Sequence, residues 1–474
     1  MNILYISSEA QPFIASGGLA DVAGSLPKAL SKLPDVQCNV VLPLYSDIKP
    51  ELREKITYVT NFLVDVSWRK QYCGLFQAEV DGVTYYFLDN EYYFARPGLY
   101  GYFDDAERFA FFSRGVMEML RYLPWKPDIL HANDWQAALV PIYYDSIYKF
   151  QPEYAGMKTI FTIHNIAYQG KYGKELLREV WGIPESMNGV MEYDQCVNLM
   201  KAAIQVSYKV TTVSPTYAQE ILDPWYAHGL DRILRDYQYK LCGILNGIDT
   251  DVHNPEADTG IVAPYSVRAM SGKKKDKLDL LQEVGLPADP DVPVIGIVSR
   301  LVSHKGIDLI QCVFEDILNA GFKVVILGSG DCGYEHFFSQ MRDAHPDQVA
   351  TILGFIPALA KKIYAGADLF LMPSQSEPCG LAQMIALRYG TIPIVRETGG
   401  LKDSVFDCSL GEGNGFTFSN YNAHEMLDAI YRAKGVYDNK KDWRALVRYA
   451  MKCDYSWTRS ADAYLGLYQE VMSM

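Results

Sequence analysis

The sequence predicts an α/β protein made of two domains, each with a parallel β-sheet and crossover helices. Short apolar runs such as Val294–Val298 and Ala367–Met372 have the near-continuous apolar character of strands that are covered on both faces. Segments with helical spacing alternate with these runs in both halves of the chain, which is typical of parallel sheets. A loop-like stretch at His253–Lys277 lies between the halves and marks the predicted domain junction.

The composition is that of a globular protein and excludes several classes of function. Of the 474 residues, 49% are hydrophobic and 21% charged, which is ordinary for a soluble chain. The net charge of −13 argues against a nucleic-acid or anionic-membrane partner, because phosphate groups require a basic face. The nine cysteines include no C-x-x-C pair, so neither a disulfide framework nor a thiolate zinc site is predicted. Without a leader pattern or an apolar run of about 18 residues, the expected location is the cytoplasm.

The first domain opens with a strand, a glycine loop and a helix. The strand is predicted over Asn2–Ser7 and the helix over Leu19–Leu30, with Gly17 and Gly18 between them. This order presents backbone N–H groups to an anion, although a plain tight turn is the alternative and the G-x-G-x-x-G pattern is absent. Asp21 lies in the first helical turn, where it suits either the helix dipole or a ligand.

An antiparallel region follows the second strand of this domain. That strand is predicted over Val40–Leu42, and residues 56–90 indicate antiparallel strands with a type I′ turn at Asp81 and Gly82. The polar and aromatic stretch Arg96–Arg114 is predicted to be a loop that leads into a buried helix.

Polar residues follow each of the next two predicted strands. The strand Asp128–Leu130 is followed by HANDWQ, which contains Asp134, and the strand Thr159–Ile163 is followed by His164. Because the carboxyl ends of parallel strands line the ligand crevice of open sheets, these residues suggest a crevice wall. A structural role for a histidine after a strand is the alternative.

The last elements of the first domain repeat this arrangement. A strand over Val210–Val213 precedes Ser214, a helix cap followed by proline, and the helix is predicted to continue to Leu222. A further strand at Leu241–Leu245 leads directly into Asn246. The basic run that follows, Lys273 to Lys275, is predicted to be a solvated face at a helix start.

In the second domain, cations and glycines follow the predicted strands. Arg300 and Lys305 come after Val294–Val298, and Thr398 to Gly400 opens a helix after the strand Ile392–Val395. The remaining predicted strands of this domain are Val324–Leu327, Thr351–Phe355 and Ala367–Met372.

Glu377 occupies the turn between the apolar strand Ala367–Met372 and the helical spacing of Leu381–Tyr389. Pro373, Pro378 and Gly380 prevent a regular element in this turn. Its position at the carboxyl end of a parallel strand suggests a ligand contact, while an exposed acid at a helix N-terminus is the alternative.

Together these groups predict a site for a diphosphate. Two cationic side chains, Arg300 and Lys305, and two helix N-termini can meet the charge on phosphate oxygens with charge-assisted hydrogen bonds. The chain has no Walker lysine loop, which leaves a nucleotide sugar as the ligand class in place of a phosphoryl-transfer substrate.

Ten motifs occur in order along nearly the whole chain. They are SGGLADVAGSLPKAL, LYGYFDDAERFAFFSR, HANDWQ, HNIAYQG, TTVSPTYAQEI, NGID, SRLVSHKG, SEPCGLAQ, ETGGLKDSV and DYSWTRSADAYLGLY. With them the chain closely resembles the bacterial glycogen synthase and plant starch synthase family. The resemblance implies the GT-B fold, in which Rossmann-like domains over residues 1–252 and 253–455 face across a deep cleft and a last helix over 456–474 returns to the first domain.

The resemblance also implies the reaction and its partners. The reaction is transfer of glucose from ADP-glucose to the non-reducing end of an α-1,4-glucan such as glycogen, with retention of configuration. Retention without an obvious covalent nucleophile fits a front-face mechanism, in which the departing phosphate accepts the proton of the acceptor hydroxyl. No cofactor and no metal are implied, and the oligomeric state is left open.

The family's catalytic roles are implied for five residues. Arg300 and Lys305 would neutralise the diphosphate, and Glu377 would hold glucose hydroxyls. His164 would contact the sugar and stabilise the transition state, with Asp134 nearby. Phe355 would lie beside the adenine of the donor. The implied donor-binding residues are Ser16, Gly17, Gly18, Asp21, Asn246, Phe355, Cys379, Gly380, Leu381, Thr398, Gly399 and Gly400.

The chain departs from the family pattern at a few positions. Ala15 and Ser16 stand where lysine and threonine are usual, which removes a cation from the phosphate loop and predicts a weaker grip on the donor. His253 replaces a usual tryptophan, and Ala382 replaces a usual threonine.

Three alternatives remain open at the level of sequence. One is a GT-B transferase that uses UDP-glucose or a small acceptor, and another is a catalytically silent glucan-binding relative, which only the missing lysine favours. Phosphorylase-like chemistry shares the fold but requires a lysine that binds pyridoxal phosphate.

Overall fold

Two α/β units account for the whole chain. The computed structural model describes residues 1–474, and they form one unit of residues 1–247 with 457–474 and a second of residues 248–456. The boundary predicted after residue 252 lies five residues beyond the end of the first stretch. The predicted fold class, with a parallel sheet in each unit, is confirmed.

The first unit is built on a sheet of nine strands. Its strands, including three outside the main sheet, are β1 Asn2–Ile6, β2 Gln37–Pro43, β3 Thr57–Val66, β4 Arg69–Val80, β5 Val83–Asp89, β6 Ile129–Asn133, β7 Lys158–Ile163, β8 Lys171–Tyr172, β9 Glu192–Tyr193, β10 Cys196–Asn198, β11 Lys209–Thr212 and β12 Leu241–Gly243. The main sheet has the order β12-β11-β7-β6-β1-β2-β5-β4-β3. It is parallel from β12 to β5, and β5, β4 and β3 pair antiparallel.

Strand β1 is the switch point of this sheet. The chain first adds β2 and β5 on one side of β1 and later adds β6, β7, β11 and β12 on the other. Connections that leave in opposite directions open a crevice at the carboxyl ends of the central strands. The loops after β1, β6 and β7 therefore meet at one edge of the sheet.

The predicted hairpin is confirmed, and a small sheet was not foreseen. Asp81 and Gly82 have φ of 53° and 78°, the left-handed conformation that a type I′ turn needs at both central positions. Strands β8, β10 and β9 form a separate antiparallel sheet of three. Each has only two or three residues, too few to leave a periodic pattern in the sequence.

Helices cover the sheet of the first unit. They are α1 Gly18–Leu30, α2 Pro50–Arg53, α3 Glu91–Phe94, α4 Asp105–Met119, α5 Asp134–Ala137, α6 Leu139–Tyr143, α7 Leu176–Glu179, α8 Asn188–Met191, α9 Leu199–Val206, α10 Pro215–Glu220 and α11 Asp231–Asp236. Helix α1 begins one residue before its predicted start. The Ser214 side chain caps α10 as expected, accepting a hydrogen bond from the Tyr217 N–H at 3.2 Å.

The second unit contains one fully parallel sheet of six strands. The strands are β13 Val294–Val298, β14 Lys323–Gly328, β15 Val349–Leu353, β16 Leu369–Met372, β17 Ile392–Arg396 and β18 Phe416–Phe418. Their order is β15-β14-β13-β16-β17-β18. The switch point lies between β13 and β16, so the loops that follow these two strands share one crevice edge.

The helices of this unit correct one prediction. They are α12 Ser271–Glu283, α13 Ile307–Cys312, α14 Phe314–Asn319, α15 Cys332–Ala344, α16 Pro357–Gly366, α17 Ala382–Arg388, α18 Gly399–Ser404, α19 Ala423–Asp438 and α20 Lys440–Ala450. The basic run lies at the start of α12, but the prediction that it is solvated is wrong for Lys273. Its ammonium group donates to the carbonyl oxygens of Ala365 and Tyr389, both at 2.9 Å, and burial lowers its pKa to about 7.

The last helix, α21 Trp457–Met472, belongs to the first unit, as predicted. Its Tyr468 hydroxyl lies 2.8 Å from Nδ1 of His131. The prediction that His131 follows the end of a strand is wrong. Strand β6 continues to Asn133, so His131 is a fully buried strand residue that anchors this helix. None of the helices combines the length and the apolar character that a bilayer-crossing segment needs.

Candidate active site

Lys305 and Glu377 form an ion pair at the switch point of the second unit. The Lys305 Nζ lies 2.6 Å from the Glu377 Oε2, and the two side chains are only 18% and 10% exposed. Lys305 follows β13 and Glu377 follows β16, so the pair forms because these strands are neighbours with their carboxyl ends at the same edge. The Ser374 hydroxyl donates to the same carboxylate oxygen at 3.1 Å. Both groups are thus held in place at the crevice edge.

The backbone around Glu377 is packed tightly against the start of α18. The Gly400 N–H donates to the carbonyl oxygens of Glu377 and Pro378, each at 3.2 Å. A Cβ atom on Gly400 would lie 2.1 Å from the Cys379 carbonyl oxygen, so only glycine allows this approach. The predicted donor segment Thr398 to Gly400 therefore contacts the Glu377 turn directly.

Gln383 holds the same turn from the helix side. It is fully buried on α17, and its Nε2 donates to the carbonyl oxygens of Cys379 at 3.1 Å and Gly380 at 2.9 Å, and to the Ser404 hydroxyl at 3.0 Å. Because the amide carries no charge, it fixes the turn without altering the charge of Glu377. No role was predicted for Gln383, since a polar residue in an amphipathic helix usually faces solvent.

The other predicted residues of this unit lie around the same sheet edge. Arg300 lies two residues after β13 and is exposed. Burial lowers the pKa of His304, and the charges of Lys305 and Arg300 lower it further. Leu381 precedes α17. Phe355 follows β15 and is 90% exposed, so its ring is available for stacking.

In the first unit, Asp134 and His164 come together across neighbouring strands. Asp134 follows β6 with a φ of 54°, an uncommon conformation for a residue other than glycine, and its Oδ1 accepts the His164 N–H at 2.8 Å. Burial raises the pKa of Asp134 to about 7, although these backbone hydrogen bonds oppose the rise. Burial likewise lowers the pKa of His164 to about 3, so the imidazole is neutral.

The loop before α1 contains one carboxyl group, that of Glu9, and no cation. Its Ser16 N–H donates to the carboxylate of Glu9, a residue only 3% exposed whose pKa is raised by burial. Asp21 is accessible to solvent, yet the surrounding protein limits hydration of its carboxyl group and raises its pKa to about 6. No atom lies within 4 Å of a Cβ placed on Gly17 or Gly18, so a ligand has room to approach their backbone.

Asn246 and Asn133 complete the polar groups of the first unit. Asn246 is only 5% exposed, and its Oδ1 is buried without a hydrogen-bond partner, as expected for a side chain that awaits a ligand. Asn133 contacts the ring of His164, with its Oδ1 2.9 Å from Nε2. No group of three or more His, Cys, Asp or Glu side chains is arranged to hold a metal ion.

Comparison with known proteins places the chain in a family. Residues 2–236 match the starch synthase catalytic domain model, and residues 282–450 match the model of glycosyl transferases group 1. The glycogen synthase of Clostridium acetobutylicum is 49% identical, with both chains fully covered. That of Geobacillus stearothermophilus is 48% identical, with 100% of this chain and 98% of the relative covered.

Solved structures agree with this placement. The catalytic domain of starch synthase IV from Arabidopsis thaliana, bound to ADP and acarbose, is 34% identical with a TM-score of 0.92, covering 100% of this chain and 99% of that one. A sucrose-phosphate synthase from Thermosynechococcus elongatus, 16% identical over the full chain and 99% of its own, has a TM-score of 0.62 and shares the fold. The predicted GT-B fold class is thereby confirmed. The chain belongs to the glycogen synthase and starch synthase family of glucosyltransferases.

Proposed function

We propose that the chain transfers glucose from ADP-glucose to the non-reducing end of an α-1,4-glucan, with retention of configuration. The observation that carries this proposal is the Lys305–Glu377 pair beside Arg300, in a chain that is similar over its whole length to glycogen synthases. ADP as the nucleotide is supported by the similar starch synthase IV structure, which is described as bound to ADP and acarbose.

The reaction exchanges one bond to the sugar for another. The bond between the anomeric carbon and the donor phosphate oxygen breaks, and a bond from that carbon to the acceptor hydroxyl oxygen forms on the same face. The acceptor's proton passes to the departing phosphate, so the products are ADP and a glucan longer by one glucose. Negative charge develops on the leaving phosphate, where preorganised cations are most effective.

The residues of the two units have separate parts in this proposal. Arg300 and Lys305 meet the diphosphate, and Glu377, oriented by Lys305 and Ser374, accepts hydrogen bonds from sugar hydroxyls. The neutral ring of His164 contacts the sugar, with Asp134 holding its backbone. Gly18 and Asn246 add donor contacts. A cytoplasmic location and the lack of a metal requirement remain predictions of the sequence.

The test is nucleoside diphosphate release from ADP-glucose and from UDP-glucose, each with and without glycogen. Glycogen-dependent ADP release that Glu377→Ala abolishes is the expected result. Preference for UDP-glucose would replace the donor in the proposal. Glucan binding without release from either donor would contradict the proposed activity and indicate a silent glucan-binding protein.

A further inference from the structure

The amide of Asn133 can adopt only one orientation in this fold. Its Nδ2 lies 3.1 Å from the Ile6 carbonyl oxygen on β1 and 3.2 Å from the His131 carbonyl oxygen on β6. Both neighbours are acceptors, so a flipped amide would set oxygen against oxygen at two places. The NH₂ group therefore faces the two carbonyl groups, and Oδ1 faces His164.

This orientation determines which ring nitrogen of His164 carries a proton. The Asn133 Oδ1 lies 2.9 Å from Nε2 of His164, and an amide oxygen only accepts hydrogen bonds. Nε2 must then be the N–H donor. Because burial lowers the pKa of His164 to about 3, the ring holds a single proton, which leaves a lone pair on Nδ1. Nδ1 has no hydrogen-bond partner within the chain and is not a buried atom.

We infer that Asn133 is a positioning residue that fixes His164 as the Nε2–H tautomer, so that Nδ1 accepts a hydrogen bond from a hydroxyl group of the transferred sugar. The identity of the sugar rests on the proposed function, whereas the tautomer follows from contacts within this chain. His164 is then a neutral acceptor that selects a hydroxyl group. It does not supply a proton to the leaving phosphate.

The groups around His164 support a neutral ring. The carboxyl group of Asp134 contacts the backbone beside the ring, and its Oδ1 accepts the N–H groups of His164 and Asn165 at 2.8 and 3.4 Å. His131, on the same strand as Asn133, is itself fully buried with a pKa lowered to about 3. No carboxylate is hydrogen-bonded to the His164 ring, so no neighbour favours the imidazolium form.

The tautomer is tested by ¹⁵N NMR of histidine-labelled protein, with the His164 signals assigned through His164→Gln. We expect wild-type His164 to show a protonated Nε2 and a bare Nδ1 from pH 6 to 8. In Asn133→Asp, the carboxylate should raise the His164 pKa until both nitrogens are protonated near pH 6. A proton on Nδ1 in the wild type, or an ordinary titration of His164 near pH 6.5, would overturn the inference.

A matched control tests whether a buried carboxylate elsewhere in the first unit also changes the His164 signals. Asn198 is also fully buried in the first unit and caps α9 by accepting the Lys201 N–H at 3.0 Å, while its Nδ2 donates to Gln169 at 2.7 Å and makes no hydrogen bond to His164. Asn198→Asp should leave the His164 signals as in the wild type. If Asn198→Asp changes them as much as Asn133→Asp does, the effect is general and the inference is wrong.

Turnover with the active donor provides a second measurement. Asn133→Leu should lower kcat by about tenfold to a hundredfold, by analogy with the loss of an outer hydrogen-bond partner of a metal-ligating histidine, and raise the donor KM less than about threefold. Asn133→Asp should gain an acid limb in its pH profile, which the wild type and Asn198→Asp lack. Unchanged kcat in Asn133→Leu would contradict the inference. If neither donor supports turnover, the proposed function fails, while the NMR spectrum still decides the tautomer.

Discussion

The two units use the same strand-end geometry but give their acidic side chains different partners. In the second unit, Glu377 lies 2.6 Å from the ammonium group of Lys305. In the first unit, Asp134 meets only backbone N–H groups, and burial raises its pKa to about 7 while it lowers that of His164 to about 3. The adjacent strand thus supplies an ammonium group to the carboxylate of Glu377 but only backbone N–H groups to the carboxyl group of Asp134. The proposed function accordingly gives the diphosphate contacts of Arg300 and Lys305 to the second unit and the neutral sugar contact of His164 to the first.

The largest effect is expected from removing the charge of Glu377. Glu377→Gln keeps the size of the side chain but ends its ion pair with Lys305, and should lower kcat/KM by about 10²- to 10³-fold, as for loss of one preorganised group at a reacting centre. Glu283→Gln is the control, because Glu283 pairs with Lys362 on the surface of the same unit. Steady-state kinetics of both variants check this prediction, and equal losses would remove the special role of the Glu377 pair.

Protonation of Asp134 should make the stability of the first unit depend on pH. Its folded-state pKa of about 7 lies above the ordinary 3.8, so its contribution is fully present below about pH 4 and is lost as the pH rises through 7. Asp134→Asn should therefore gain stability over the wild type between pH 4 and pH 8, by at most about 4 kcal/mol. Denaturant titrations at both pH values measure this difference. Asp145→Asn, at a surface ion pair with Lys149, should keep the wild-type pH dependence.

In the second unit, the neutral side chain of Gln383 supports the turn that carries the charged Glu377. Gln383→Leu removes its donor hydrogen bonds to the Glu377 turn and should lower the free energy of unfolding by about 1–3 kcal/mol, with a parallel fall in kcat. The exposed Gln282 provides the matched control, and Gln282→Leu should stay within about 0.5 kcal/mol. Wild-type stability and kcat in Gln383→Leu would show that the Glu377 turn keeps its conformation without the Gln383 hydrogen bonds.

The smallest effect is expected where a cation is added to the first unit. Ala15→Lys places an ammonium group in the exposed loop before α1, near the carboxyl groups of Glu9 and Asp21. It should lower the donor KM by about tenfold, the value of one charge-assisted hydrogen bond. Ala15→Met adds comparable length without charge and should leave the KM unchanged. If Ala15→Lys changes neither KM nor kcat, the loop already compensates for the missing lysine.

The sequence predicts where functional residues lie along the chain better than it predicts their partners. Arg300, Lys305 and Glu377 were placed at strand ends because apolar runs and turn residues are local signals. The pairing of Lys305 with Glu377 depends on β13 and β16 being neighbours, which no local pattern encodes. The roles of Asn133 and Gln383 were missed for the same reason, since their contacts join separate elements.

Burial of single charges was also beyond local reasoning. The lysines of α12 form one basic run, yet Lys273 turns into a pocket of carbonyl oxygens while Lys274 and Lys275 remain exposed. Helical rotation distributes adjacent residues over different faces, and the sequence does not show which face packs. His131 was likewise placed outside its strand because the polar HANDWQ segment hides the end of β6.

The most direct test of the assignment of the phosphate contacts to the second unit is calorimetric titration with ADP. We predict that Arg300→Met and Lys305→Met each weaken ADP binding by about tenfold or more, as expected for loss of a charge-assisted contact. His164→Ala, and Arg342→Met as a surface control in the second unit, should change the Kd less than about twofold. Equal losses in His164→Ala and the two cation variants, or unchanged ADP binding in Arg300→Met and Lys305→Met, would contradict the assignment of phosphate charge to the second unit.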